Sequence, residues 1–540
     1  MPDKATHQVV VLGGGFGGVF TAKHLRRHAG RDVDIMLISR HNFFVFQPLL
    51  PEIAGGSINP GDGVTPLRRF LPGVAVMVAE VREIDLGAKT VNVTLGRAGG
   101  IRTVPYDQLV IALGQEVDLS RTPGLADRAL VMKGVMDAFH IRNQVLGCLE
   151  DANATNEPRR KQSLLTFVVI GGGFTGVETI GEVQELIRNS LKYYPNIRAD
   201  EIRTILIQHG TRILPELPGH LATYAADQLR RRGIEIRLNT GVKAATPAGV
   251  EIDSGPPIDA GTIVAAIGNA PSPLIQSLPL ALDHGRIVVD RCMRVHGRAD
   301  VWALGDDAHI PLGDPKDANV AYAPPLAQFA LREAKVLARN ILAHLEGRPL
   351  TAFEHRSLGS MAALGGRRGV ADIMGVRVSG FLAWVAWRLF YLSLLPGIAT
   401  RIRVAADWLL DLLVSRSTAE IRAAQPASGQ VRFLAGDVVI EPGIEPDGVY
   451  VVTAGMFEVG ARPDDAAAPG PGERALPPRK MGPGEHFGMP LNGAATSPGE
   501  WVRASEDSTA YFVGKDDLQR LAMVSALIEP KPDTSSRQRR

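Results

Sequence analysis

The sequence predicts an α/β protein with two parallel-sheet units, followed by an amphipathic segment and a C-terminal all-β unit. Three observations carry this. A Gly-x-Gly-x-x-Gly signature follows a β-branched run at two places, an Arg- and Trp-containing apolar stretch begins near residue 358, and short β runs divided by Gly and Pro begin after about residue 425.

The first signature is Gly13, Gly15 and Gly18 after Gln8–Leu12, and the second is Gly171, Gly173 and Gly176 after Phe167–Ile170. Glycines there permit a tight turn and let the backbone approach a pyrophosphate, while the next helix aims its first N–H groups at the phosphates. One copy is weak evidence; two, each between a strand and a helical stretch, predict two Rossmann-like dinucleotide-binding domains. Residues 1–115 form the first part of the first domain and close with the strand Gln108–Gly114. The second domain spans 116–275, crosses the polar stretch Asp151–Pro158 and contains a strand over Glu201–Gln208. The chain then returns to the first domain over 276–357, through a short strand ending in Asp306 and a helix that starts after Pro324 and Pro325. Proline suits a helix start because its missing N–H would be unpaired there.

Residues 358–420 read as an amphipathic membrane-association segment. Three of the five tryptophans, Trp384, Trp387 and Trp408, lie here, and seven Arg against three Asp between Arg367 and Arg416 give a local charge of +4. Arg388 interrupts the most apolar run, so there are not the roughly 20 consecutive apolar residues that a spanning helix needs. Over 401–414, Arg403, Asp407 and Asp411 share one stripe, while Ile402, Ala405, Leu409 and Leu412 share the opposite one. Such a helix lies in an anionic headgroup layer or covers the protein's own core or a dimer partner. The β unit spans 425–525, with strands over Val431–Ile440, Val449–Thr453 and Phe457–Val459. A Pro/Ala/Gly-rich insertion at 461–480 reads as a mobile loop, and 526–540 as a disordered tail.

Composition excludes several classes. The formal charge of +2 on 540 residues argues against a nucleic-acid binder. The two cysteines, Cys148 and Cys292, form no C-x-x-C pair; both are expected to be inert buried thiols in a reducing cytosol. The N-terminus enters a strand by about residue 8, which leaves no room for a secretory signal. A peripheral position on the cytoplasmic face of the cell membrane is expected.

The chain resembles the type II NADH:quinone oxidoreductases, flavoproteins of the two-dinucleotide-binding-domain fold. The likeness covers about residues 8–420 and rests on GGGFGG at 13–18, HNFFVFQPLLPEIAGG at 41–56, LVIALG at 109–114, GGGFTGVET at 171–179, ALGD at 303–306 and PPLAQFA at 324–330. It implies FAD in the first domain, NADH or NADPH in the second, a membrane quinone as acceptor, no metal, and a homodimer. FAD is then placed against Gly13, Gly15, Phe16, Gly17, Gly18, Ser39, Arg40, Gln47, Ala112, Gly114, Gly305, Asp306 and Ala327. The nicotinamide dinucleotide is placed against Gly171, Gly173, Phe174, Thr175, Gly176, Gln208 and Gly268. Glu178 resembles the family glutamate facing the nicotinamide–flavin stack, with a plain first-turn glutamate as the alternative; Gln328 resembles the quinone-side glutamine, with an exposed helical glutamine as the alternative. The quinone tail is expected to enter past Phe43, Phe44 and Phe46 and the 381–414 segment.

Three residues depart from the family pattern. Ser39 stands where an acid holds the FAD adenine ribose, Gln208 where a glutamate binds the NADH 2′-hydroxyl, and Arg332 where a second glutamine faces the quinone. Loss of the acid at 208 removes repulsion of a 2′-phosphate. The C-terminal unit resembles the cyclic-nucleotide-binding β-roll through FLAGDVVIEPG at 433–443, GVYVVTAGMFEV at 448–459 and GPGEHFGMP at 482–490. Met489 and Pro498 replace the ribose-binding glutamate and the phosphate-binding arginine. The fold is expected to be kept and cyclic-nucleotide binding lost. Two other readings compete: a sulfide:quinone oxidoreductase-like enzyme, which needs a cysteine pair beside the flavin, and a membrane-bound redox or nucleotide sensor scaffold.

Overall fold

The computed structural model describes residues 7–95, 100–314, 317, 320–355, 357, 359–421, 428–441, 446, 448–461, 478–489, 500–515 and 517–518. Expectations for Pro498, for the tail and for most of the 461–480 insertion fall outside these residues.

The first unit comprises β1 (His7–Leu12), α1 (Phe16–His28), β2 (Val33–Ser39), α2 (Leu50–Ala54), α3 (Leu67–Phe70), β3 (Ala75–Asp85), β4 (Thr90–Leu95), β5 (Gly100–Pro105) and β6 (Gln108–Ile111). The second follows with β7 (Leu130–Val131), α4 (Val135–Ala154), β8 (Thr166–Ile170), α5 (Phe174–Ser190), β9 (Arg203–Ile207), β10 (Ile234–Arg237) and β11 (Thr262–Ala265). The chain returns with β12 (Val301–Ala303) and α6 (Ala327–Leu345).

β12 enters the first sheet, whose order is β12-β6-β1-β2-β3-β4-β5, while β7-β11-β8-β9-β10 form the second. Val9 to Leu12 are all buried, as parallel strands covered on both faces require. Leu12 ends β1 opposite Ile38 and Ile111 in parallel register, so the chain leaves the sheet in opposite directions on either side of β1. Such switch points open the crevice in which doubly wound folds bind ligands. β8 holds the same place in the second sheet, between β9 and β11. The prolines before α6 lie just outside it: the N-cap is Leu326, so Pro324 and Pro325 set the approach rather than the first helical position.

The segment from 358 differs from a single amphipathic stretch. It begins with an antiparallel three-stranded sheet, β13 (Gly359–Ala363), β14 (Gly369–Ile373) and β15 (Val376–Gly380). Two helices follow, α7 (Phe381–Leu394) and α8 (Ile398–Leu413). Among the described residues, no helix is long and apolar enough to cross a membrane. The three tryptophans expected at an interface point inward instead and are all buried. α8 is turned with its polar stripe toward the protein: Asp407 accepts from Asn59 N and Nδ2 at 3.1 and 3.2 Å, and Asp411 accepts from Arg416 Nε at 2.8 Å. Its apolar stripe faces outward, with Ile402 64% and Leu409 58% exposed, so it does not cover the protein's own core.

What turns the stripe inward is a buried set of charges. Glu52 on α2 pairs with Arg388 on α7 at 3.2 Å and accepts from Trp408 Nε1 at 2.6 Å. Arg416 bridges Glu182 on α5, Asp411 on α8 and the Gly55 carbonyl, each at 2.8 Å. Arg388 is stacked on Trp384 and Trp408, with its guanidinium carbon 4.1 and 4.8 Å from the ring centroids. Of the seven arginines that gave the local +4, these two are therefore spent internally. Burial pushes the Glu52 carboxyl above the usual range, Arg388 opposing in part. The Glu182 and Asp411 carboxylates outweigh the desolvation of Arg416 and raise its proton affinity.

The C-terminal unit has β16 (Ser428–Phe433), β17 (Val438–Ile440), β18 (Gly448–Ala454), β19 (Phe457–Ala461), β20 (Arg479–Met481), β21 (His486–Gly488), β22 (Glu500–Ala504) and β23 (Ser508–Gly514). They form two four-stranded antiparallel sheets, β16-β23-β18-β21 and β17-β22-β19-β20, around Phe457, Phe487 and Val502. The strand expected over Val431–Ile440 breaks into two, because Gly436 adopts φ +95° and reverses the chain. The unit docks on the second domain through Arg159 with Asp507 at 2.9 Å, Arg160 with Asp437 at 3.2 Å, and Arg432 donating to the Ala260 carbonyl at 2.9 Å. Cys148 is buried as expected; Cys292 is only half-buried.

Arg416→Ala strands two buried carboxylates, so it is expected to cost about 3–5 kcal/mol, the scale of breaking a buried pair. Arg198→Ala, whose arginine is 72% exposed, is the control and should leave the unfolding midpoint almost unchanged. Equal midpoints for the two variants in thermal or urea unfolding would contradict this.

Candidate functional site

Both glycine loops are shaped from within. Gly13 and Gly171 each adopt φ +111°. A Cβ on Gly13 would lie 1.9 Å from the Ala112 carbonyl oxygen, and on Gly18 2.0 Å from that of Gly13. In the second loop a Cβ on Gly171 would lie 2.7 Å from the Ala266 carbonyl oxygen, and on Gly176 1.8 Å from that of Gly171. Around Gly15 and Gly173, by contrast, nothing lies within 4 Å. The outer glycines are demanded by packing, and the middle one leaves room for a ligand. Neither α1 nor α5 has a side-chain cap at its N-terminus, so the first N–H groups are available to phosphate oxygens. Both loops therefore fit a dinucleotide pyrophosphate.

Between the two units lies a cavity of about 420 Å³. Phe16, Gln47, Asp306, Ala327 and Gln328 line it from the first unit, and Phe174, Thr175 and Glu178 from the second. Eight of the residues assigned from the sequence to the flavin, nicotinamide and catalytic positions thus meet in one place. Gly305 adopts φ +68°, which sends the chain from β12 into the turn that carries Asp306, and burial raises the Asp306 carboxyl. Ser39, Arg40, Gln208 and Gly268 do not line this cavity. Ser39 Oγ lies 2.2 Å from where a Gly14 Cβ would be, and Arg40 pairs with Glu116 at 3.1 Å. Gln208 Oε1 accepts from Gly172 N at 2.8 Å, which leaves its amide N–H₂ end as the free one. Gly268 adopts φ +88° beside the Asp118 carbonyl. Arg332 donates back to the Gln328 carbonyl at 2.7 Å and stays outside the cavity wall. Of the three phenylalanines expected at the entrance, Phe46 lines the cavity, whereas Phe44 is fully buried against Phe16, with ring centroids 4.9 Å apart.

Glu178 is held by the C-terminal segment. Its Oε1 accepts from Ala363 N at 2.9 Å and from Trp387 Nε1 at 3.0 Å. Burial pushes this carboxyl up to about 8, although both hydrogen bonds oppose the shift. It is therefore a cavity-lining acid whose protonated form is favoured by burial.

Several residues here have no local sequence signal. Asp307 accepts from Gly114 N at 2.9 Å, Glu333 accepts from Gly305 N at 2.8 Å, and burial raises each to about 7. Arg286 donates to the carbonyls of Gly305 and Ala323 at 3.3 and 3.2 Å. Tyr391 lines the cavity, edge-on to Phe46 at 5.9 Å. Only the flanking glycines could have hinted that their partners would be buried acids.

The pyridine nucleotide-disulphide oxidoreductase family matches residues 7–334, and the NDH2 C-terminal domain matches residues 357–417. The type II NADH:quinone oxidoreductase Ndh of Mycobacterium tuberculosis is 34% identical over 421 residues, spanning 76% of this chain and 89% of the relative. This chain belongs to the type II NADH:quinone oxidoreductase family. A second member with the same reach, the demethylphylloquinone reductase NdbB of Synechocystis, is 30% identical over 416 residues, 75% of this chain and 96% of its own. The fold of this type II oxidoreductase also matches the structure of NDH2 from Plasmodium falciparum in complex with NADH, at TM-score 0.71 and 22% identity over 77% of this chain and 100% of that one.

In this family member, Glu178→Gln is expected to retain flavin and slow turnover. Trp387→Phe removes a bond that favours the charged carboxylate, so the Glu178 proton is held to higher pH. A hydrogen bond to a charged group contributes about 1.5–3 kcal/mol, so the alkaline limb of kcat against pH should move up by about one to two units. An unmoved or downward-moved limb would show that Trp387 does not set this acid.

Proposed function

We propose that the protein is a peripheral, FAD-dependent NADH:quinone oxidoreductase that also accepts NADPH, with the balance NADH + H⁺ + quinone → NAD⁺ + quinol. The observation that carries this reading is the single cavity in which the Asp306–Gln328 side of the first unit faces Phe174, Thr175 and Glu178 of the second. Bound FAD would supply the chemistry of hydride acceptance and onward electron transfer. The chain's own residues do the rest. The N-terminus of α1 binds the FAD pyrophosphate, and the Asp306 carboxylate accepts hydrogen bonds from ribityl hydroxyls. The N-terminus of α6, at Ala327, favours negative charge beside it. The N-terminus of α5 binds the nicotinamide dinucleotide, and Phe174 and Thr175 help exclude water. Gln328 lines the cavity, and its amide N–H₂, which donates to Ser357 Oγ and the Gly359 carbonyl at 3.2 Å each, would reach a quinone carbonyl by exchanging one of these two bonds. Glu178 holds the proton that the net reaction consumes.

Neither cysteine lines the cavity, which leaves the sulfide:quinone reading without a thiol pair. The outward apolar faces of α7 and α8, with Leu382 70%, Leu389 62% and Leu413 75% exposed, support docking on a bilayer, a second copy of the chain being the alternative cover. Phe390, Leu394 and Met374 line the cavity from this same segment, which gives a lipid-borne quinone its way in. The paired C-terminal sheets support a cyclic-nucleotide-binding-like β-roll that docks rather than senses. Met489 N is bonded to the Gly448 carbonyl at 2.9 Å, and Arg503 is engaged by Glu458 at 3.2 Å. A cyclic phosphate without a bidentate arginine partner is poorly compensated, and Arg432 of this unit is turned to the Ala260 carbonyl instead.

The purified protein should be yellow and should be bleached anaerobically by either NADH or NADPH, then reoxidised by quinone. A colourless protein that FAD cannot reconstitute would overturn the reading. Because Gln208 offers N–H₂ rather than a carboxylate, Gln208→Glu should lower kcat/KM for NADPH relative to NADH by about 1–3 kcal/mol; an unchanged ratio would place specificity elsewhere. Calorimetry with cyclic AMP and cyclic GMP should show no micromolar binding, and such binding would refute the docking role.

A further inference from the structure

Positive charge is concentrated on a face that belongs to the first unit rather than to the C-terminal segment. α1 carries three Lys or Arg, α3 two and α6 three, and the one acid on these helices, Glu333, is buried against Gly305. Arg26 is used by the carbonyls of Val33, Ala29 and Gly30, and Arg332 by that of Gln328. Lys23, Arg27, Arg68, Arg69, Lys335 and Arg339 remain exposed, and among the described residues none of them is in an ion pair. They form one surface. Lys23 Nζ sits 3.8 Å from the Phe70 ring centroid on α3, and after burial its proton affinity is lowered chiefly by Arg401 of α8 and Arg27. His24, between them, is pushed down to about 4 by burial and then by His28, Lys335, Lys23 and Arg27. Among the described residues, no carboxylate relieves this repulsion at Lys23 or His24.

The arginines of the C-terminal segment are differently used. Arg388 and Arg416 are buried in pairs, Arg368 donates to Gln228 at 2.8 Å, Arg377 faces Asp372 at 3.8 Å, and Arg403 faces Asp62 at 3.7 Å. Arg401, which donates to the Leu395 and Ser393 carbonyls at 2.8 and 2.7 Å, joins the two regions, since it lies near Lys23 and is flanked on α8 by Ile398 and Ile402, 76% and 64% exposed.

We propose that the face made by α1, α3 and the outer side of α6 binds anionic phospholipid headgroups and sets the tilt at which the apolar faces of α7 and α8 enter the bilayer. This rests on the bilayer reading of α7 and α8 given above. Continuity with that apolar edge selects lipid over an acidic protein or a nucleic acid, which would need no apolar margin. Tilt matters because the cavity opens past Leu331 of α6 and Phe390 of α7, so one orientation presents its mouth to the acyl region.

The test uses the FAD-loaded, full-length protein with phosphatidylcholine vesicles, with or without phosphatidylglycerol. Lys23, Arg27, Lys335 and Arg339 are changed together to Gln, and a control carries Arg102, Arg121, Arg231 and Lys243 changed to Gln. Each Lys or Arg at an anionic surface contributes about a five-fold gain in binding. The patch variant is thus expected to lose roughly two to three orders of magnitude on phosphatidylglycerol vesicles while keeping weak binding to phosphatidylcholine and full turnover of a soluble quinone. The control should bind like wild type, whose affinity should fall with salt. Equal loss in patch and control variants, or wild-type binding indifferent to phosphatidylglycerol and salt, would overturn the headgroup assignment yet leave the apolar face in place. A wild-type protein that binds neither vesicle, or one that prefers an acidic polymer such as heparin to the vesicles, would overturn both. Leu409→Ser with Leu413→Ser separates the two readings: it should lower binding to both vesicle types and leave the salt dependence intact.

Discussion

Two arginines in a dry place constrain the rest of this structure. Arg388 lies on α7 and Arg416 just beyond α8, yet their carboxylates come from α2, α5 and α8. A buried guanidinium without its acids is too costly to tolerate, and the acids without it are equally so. The first unit, the second unit and the C-terminal helices therefore have one mutual arrangement that neutralises all of them. Apolar packing alone would let α7 and α8 slide; a bidentate cation between fixed acids does not.

The same constraint explains why the apolar stripe of α8 looks outward. Asp407 and Asp411 must reach Asn59 and Arg416, which turns Ile402 and Leu409 to the outside. It also reaches the cavity, because α5 carries both Glu182, held by Arg416, and Glu178, one helical turn away and held by Trp387 and Ala363. The helices with outward apolar faces and the cavity acid are thus parts of one rigid connection.

The alternation of strand, glycine loop and helix was legible in the sequence because it is local: the turn and helix N-terminus that a phosphate needs lie within six residues of each other. The return of the chain at 301–303 was legible too, from a short apolar run ending at Gly305 and Asp306. What could not be read was the direction a side chain faces when its partner is hundreds of residues away. Trp384, Trp387 and Trp408 read as interfacial, since Trp among Arg and Leu is common at bilayers, but their N–H groups and ring faces were claimed by Glu178, Glu52 and Arg388. Likewise the charge count of 367–416 said nothing about where those charges point. Asp307 and Glu333 escaped notice because each serves a backbone N–H, a role with no spacing rule.

The hold of Ala363 and Trp387 on Glu178 has a consequence in time. A ribosome adds residues from the N-terminus, and both glycine loops can fold once their own sheets are complete. The first sheet waits for β12, and the acid in the cavity waits about 85 residues more, until α7 has emerged and its indole can dock. During synthesis the nascent chain is thus a pair of glycine-loop lobes whose cavity acid, Glu178, still lacks its Ala363 and Trp387 donors. Those donors arrive with the helices whose apolar faces look outward, so the segment that completes the cavity is the one that leaves an apolar edge uncovered.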